Sequence, residues 1–156
     1  MLQTAKGFDD DFWVIQRRAA EGIEKIPAAN VKLFLYSLDP NDPQVGSGKP
    51  LENLNQVFHW WPILGKVEIV PVKEKEELLG AFAKGVRQAR GMNKCIFEPR
   101  HGLQVITESG TNDFVICYHC GDVAAYGFNP AQSFQTGSAQ PTFDKFLDEY
   151  KIKKAK

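Results

Sequence analysis

Cysteine is scarce: the 156-residue chain has three, which excludes a dense disulfide scaffold. An excess of one charge is missing as well. Nineteen Lys and Arg balance nineteen Asp and Glu. The chain has no global field to attract nucleic acid, and no nucleic-acid partner is expected. No apolar run approaches the roughly eighteen residues of a membrane helix, so no membrane partner is expected either. The opening MLQTAKGFDDD lacks the apolar centre of a signal peptide. The expected localisation is cytoplasmic, or periplasmic if a leader has been removed. A Walker loop, a Rossmann glycine pattern and HExxH are absent too. What is present is ordinary, with 43% hydrophobic and 24% charged residues. A chain of this length buries about 70% of its unfolded surface, enough for one domain over residues 1–156.

Phe8, Phe12, Ile15, Ala19, Ile23 and Ile26 recur at spacings of three and four. This predicts a helix over about 10–25, with Asp9, Asp10 and Asp11 capping its start and Pro27 ending it. Val31 to Leu38 is short, apolar and rich in β-formers, and reads as a buried strand. Proline and glycine break the chain after it, leaving a long surface connection over Asp39 to Leu54. The aromatic cluster Phe58-His59-Trp60-Trp61 follows and is expected to roof the core. Gly65 to Val72 alternates as a half-buried strand should. Leu78, Leu79, Phe82, Val86 and Ala89 then form the apolar stripe of a second helix that Gly91 closes.

From Asn93 the period becomes two. Cys95 to Phe97 with Leu103 to Thr107, then Phe114 to Tyr118, then Val123 to Phe128 predict a three-stranded antiparallel meander. Asn129 to Gln140 reads as loop. Thr142 opens a last helix carrying Phe143, Phe146, Leu147 and Tyr150. Runs of strands joined by short turns predict an α+β fold, with helices packed on one face of a mainly antiparallel sheet.

One constellation could carry chemistry. All three cysteines and two of the three histidines lie between Cys95 and Cys120, as Cys95, His101, Cys117, His119 and Cys120. Cys117-Tyr118-His119-Cys120-Gly121 suits a turn in which glycine accepts positive φ and backbone N–H groups approach sulfur. Such turns supply half the ligands of many structural zinc sites, with Cys95 and His101 as the other half here. The pattern leaves three readings open: zinc bound by Cys95, His101, Cys117 and Cys120; a Cys117–Cys120 thiol–disulfide pair; and cysteines buried simply as small apolar residues. The register matters. A hairpin turn centred near Gly110 sets Cys117 opposite Leu103 and His119 opposite His101. Cys95 then lies about 15–20 Å further along an unbroken strand, and only a bend at Pro99-Arg100-His101-Gly102 returns it. In that loop Arg100 offers donors suited to a carboxylate or phosphate, and His101 an acid–base group. No Ser or Asp is placed by spacing to complete a catalytic set.

The run Cys95-Ile96-Phe97-Glu98-Pro99-Arg100-His101-Gly102, followed by Ile116-Cys117-Tyr118-His119-Cys120, resembles a pattern of small bacterial proteins of unassigned function. That pattern is Cys-Phe-x-Pro-Arg-His-Gly, a hairpin, then Ile-Cys-Phe-x-Cys. This chain departs from it with Ile96 before Phe97 and with Tyr118 in place of Phe. The resemblance implies one structural unit over 95–120 and brings no activity with it.

These residues together predict a non-catalytic binding module. Zinc is the candidate cofactor, and Arg100, His59, Trp60 and Trp61 are the candidate binding residues. The expected partner is another protein or a small anionic ligand. Two alternatives stand beside this. One is a thiol–disulfide oxidoreductase; the other is a protein-neutralising partner such as a bacterial immunity protein, with Asp39 to Leu54 as its contact surface.

Overall fold

The computed structural model describes residues 4–41, 56–91 and 95–156, and side chains from Asp11 onward. Ten elements follow in order: α1 (Thr4–Glu24), β1 (Lys32–Leu38), β2 (Val57–Phe58), β3 (Trp61–Ile69), α2 (Val72–Arg87), β4 (His101–Thr107), β5 (Gly110–Cys117), β6 (Asp122–Tyr126), β7 (Ser133–Gln135) and α3 (Gln140–Glu149). A single 3-10 turn, Ala28–Asn30, joins α1 to β1. The strands form one seven-stranded sheet in the order β2-β3-β1-β4-β5-β6-β7, every neighbouring pair antiparallel. The fold is α+β.

Alternation along the strands separates two cores. Leu33, Leu35, Leu103, Val105, Phe114, Ile116 and Val123 point to one face, where α1, α2 and α3 cover them with Ala19, Ile23, Phe82, Phe143 and Phe146. Burying each large side chain of this kind contributes about 1.5–3 kcal/mol. On the other face Tyr36, Phe58 and Val115 form a smaller cluster, with Trp61 and Phe97 packed against it. Phe58 stacks on Tyr36 at 4.3 Å. It also fills the space over Gly102, where an added Cβ would lie 2.8 Å from its ring.

The structure moves several boundaries. α1 begins at Thr4, so Asp9 to Asp11 lie within the helix and do not cap it. Its buried positions include Gln16, Ala19, Ala20 and Ile23, while Ile15 is exposed. Gln16 sits there because it is fully used: Nε2 donates to Val86 O (3.1 Å) and Gln135 O (2.9 Å), and Oε1 accepts from Gln135 N (2.6 Å). The short strand β7 occupies part of the stretch expected to be loop. Ala139, not Thr142, stands at the start of α3, with Pro141 in its first turn. The surface connection expected over Asp39 to Leu54 lies, from residue 42 on, outside the described residues.

Register in the meander differs most. The hairpin closes tightly, with Thr107 opposite Gly110 and only two residues between them. His101 therefore pairs with Ile116 and Leu103 with Phe114, not with His119 and Cys117. Residues 95–100 are not strand. The chain bends before His101, and that bend brings Cys95 back over the β5–β6 turn.

Candidate functional site

The site grows from one row across the sheet. Ser37 on β1, His101 on β4 and Ile116 on β5 are register partners. They continue the face that carries Leu33, Leu35, Leu103 and Phe114, so the row points beneath α3. Ser37 and His101 are only 1% and 3% exposed. From α3, Asp144 reaches down to accept a 2.8 Å hydrogen bond at Oδ1 from His101 Nε2, and Gln140 Nε2 lies 3.3 Å from Asp144 Oδ2. The imidazole is boxed by Tyr118 and Phe143, with ring centroids at 5.4 and 5.8 Å and edge-to-face geometry.

The electrostatics follow from this packing. The hydrogen bond from His101 holds the Asp144 carboxyl below its ordinary value, against the opposing effect of burial. Burial pushes the Tyr118 phenol well above its ordinary range, and the charge of Asp144 adds to the effect. Asp144 Oδ1 can only accept, so His101 Nε2 carries the shared proton, and in the neutral imidazole Nδ1 is left with a lone pair. Three buried polar atoms here, Ser37 Oγ, His101 Nδ1 and Tyr118 Oη, have no partner among the described residues.

Two small cavities meet at this point. One, of about 120 Å³, is walled by Ser37, Arg100, His101, Gln140, Asp144 and the tail residue Lys154, among others. The other, of about 190 Å³, is lined by Glu98, Arg100, His101, Tyr118, His119 and Gln140. Arg100 is half-buried and walls both. Its backbone oxygen accepts from Leu38 N at 3.0 Å, which ties the loop to the end of β1. Its guanidinium makes no ion pair or hydrogen bond among the described residues.

The cysteines are arranged differently from the four-ligand expectation. Cys95 and Cys120 form a disulfide, with Cα atoms 5.8 Å apart. Cys117 is a free, buried thiol whose sulfur lies 3.4 Å from Cys120 N. Gly121 closes the turn at φ 70°, its N–H bonded to Cys117 O at 2.8 Å. The bonded pair is therefore Cys95–Cys120 and not Cys117–Cys120, because the bend over 95–100 delivers Cys95 to the turn. His101 is committed to Asp144. Among the described residues no group of three or more His, Cys, Asp or Glu side chains is placed to hold a metal ion.

His59 and Trp61 pack on the opposite face of the sheet, and none of His59, Trp60 and Trp61 walls the Arg100 cavities. His59 Nε2 bonds Asp113 Oδ2 at 2.8 Å, and the ring stacks on Tyr126 at 3.8 Å. His59 and Trp60 form the two-residue turn between β2 and β3 with φ of 46° and 78°. Trp60 is 66% exposed. Trp61 packs edge-on against Phe97. The structure thus separates Arg100 from the aromatic cluster grouped with it on sequence.

Ser37, Gln140 and Asp144 have no sequence motif around them. Ser37 carried one signal, being a polar residue at period two from Leu33 and Leu35. Asp144 carried none, since its partner lies 43 residues away. No protein-family model matches the chain, and no curated protein and no solved structure matches it, so the reading of this site rests on its own geometry.

Proposed function

We propose that the protein is a non-catalytic binding module whose Arg100–His101 segment, at the start of β4, receives a small anionic group. One observation carries this reading. The Arg100 guanidinium is half-buried at the junction of two cavities and has no acceptor among the described residues. A guanidinium taken partly out of water loses hydration that only an acceptor restores, and its forked donors match a carboxylate or phosphate. The cavities hold a group of a few atoms rather than a peptide, which favours a small ligand over a protein partner. The Cys95–Cys120 disulfide supports the periplasmic alternative for localisation, since such bonds persist in oxidising compartments.

Calorimetric titration with acetate and with inorganic phosphate tests the proposal. At least one should bind the native protein, and Arg100→Ala should weaken that binding at least tenfold with little change in melting temperature. A large loss of stability in Arg100→Ala with unchanged anion binding, or no binding of either probe, would refute it.

A further inference from the structure

The anion-binding reading accounts for Arg100 and leaves three buried polar atoms of the site unexplained, two of which wall one cavity. Ser37 Oγ and His101 Nδ1 are both buried and unpartnered among the described residues, belong to cross-strand partners and wall the same 120 Å³ cavity. Buried polar atoms are rarely left without partners in native structures, and two beside one cavity point to a bound polar group. That cavity offers about the share of four liquid waters, room for a very small molecule or one end of a larger one.

The chemistry of the two atoms is complementary. Asp144 holds the proton on Nε2, so the neutral imidazole presents Nδ1 as an acceptor. Ser37 offers a hydroxyl that can donate. A ligand hydroxyl satisfies both, donating to Nδ1 and accepting from Ser37. An ammonium would stand beside the Arg100 cation. A second carboxylate can only accept and meets the lone pair of Nδ1. We infer that the ligand is a small hydroxycarboxylate, its carboxylate on Arg100 and its hydroxyl between Ser37 Oγ and His101 Nδ1. The inference rests on the anion-binding reading and adds the second half of the ligand.

The remaining groups facing the cavities fit this assignment. Asp144 and Gln140 on α3 engage each other and the imidazole. Lys154 is paired with Asp148 at 2.8 Å. Glu98, Tyr118 and His119 belong to the adjoining cavity. Ser37 and His101 Nδ1 are the buried, uncommitted pair of donor and acceptor beside Arg100. A site built to hydrogen-bond a hydroxyl rejects the analogue lacking it, because its own buried groups are then left unpaired.

Glycolate and acetate differ by that one hydroxyl, and their titration into the full chain separates the two claims. The native protein should bind glycolate at least tenfold more tightly than acetate. In Ser37→Ala the preference should fall to within about twofold, while the melting temperature holds or rises, because an orphan hydroxyl has been removed. Arg100→Ala should weaken both ligands. Equal binding of glycolate and acetate to the native protein, with both lost in Arg100→Ala, would overturn the hydroxyl assignment and leave the anion site standing. A preference undiminished in Ser37→Ala would overturn it as well. Binding of neither acid, or binding indifferent to Arg100→Ala, would remove the anion site and this inference with it.

Discussion

Reducing the Cys95–Cys120 bond releases a loop whose ends are 25 residues apart in sequence. In the chain-entropy description, closing a loop of that length lowers the entropy of the unfolded state by about 12 cal/mol/K, or roughly 3.5 kcal/mol at 25 °C. For a chain of this size that corresponds to a fall of roughly 10 °C in melting temperature. Cys95 is exposed and Cys120 is fully buried, so a thiol reductant can enter from the Cys95 side. The assay is a thermal melt with and without reductant, joined to thiol counting. Unreduced protein should show one reactive thiol in denaturant, Cys117, and three after reduction. Cys95→Ala should reproduce the reduced melting temperature and become insensitive to reductant. A chelator should have no effect on either form. Three thiols titrating without reductant, or a melting temperature that falls with chelator and not with reductant, would refute the disulfide and restore the metal-ligand reading of these cysteines.

Three further outcomes are expected. Gln16→Leu removes the buried side-chain partner of Gln135 N–H and Gln135 O, while Val86 O keeps Ala89 N, and should cost about 2 kcal/mol, read by urea denaturation; a loss below 0.5 kcal/mol, on the order of a surface change, would show that these groups find other partners. The Asp144 carboxyl titrates lower in the folded chain than its reference value of 3.8, mainly through the His101 hydrogen bond. Its contribution is therefore full above that value and lost as pH falls through the lower folded value, so Asp144→Asn should flatten the acid limb of stability against pH; an unchanged acid limb would show that the bond contributes nothing. Gly127 has φ 75°, and a Cβ there would overlap the Thr111 carbonyl oxygen. Gly127→Ala should cost more than about 2 kcal/mol through strain and clash together, and a variant as stable as the native chain in a thermal melt would contradict that packing.

Much of the fold was legible because the hydrophobic period is a local property. The stripe Leu78, Leu79, Phe82, Val86 announced α2, and all four residues are buried. The period-two runs from Leu103 to Phe128 announced the three strands of the meander. Helix ends were less legible, because residues that favour a cap, such as Asp9 or Thr142, are also tolerated inside a helix. β7 is not legible in the sequence, because the three residues Ser-Phe-Gln carry too little periodicity to mark a strand.

The site itself belongs to the other category. Sequence determined that Arg100 and His101 stand together between Pro99 and Gly102, although His101 and Gly102 open β4 rather than lie in a loop, and that a CxxCG turn lies downstream. It also determined which strand positions alternate toward a core. A two-residue hairpin, where a longer turn was expected, changed the meander register by an odd number of residues, and an odd change exchanges the two faces of a strand. That register set His101 against Ile116, the β1–β4 pairing aligned Ser37 with His101, and only the packing of α3 over the row delivered Asp144. The bend over residues 95–100 then decided which cysteine Cys120 would meet. Such pairings join residues tens of positions apart, and no local spacing encodes them. They arise when the buried faces of sheet and helices close together, and packing then fixes which polar groups are left facing one another.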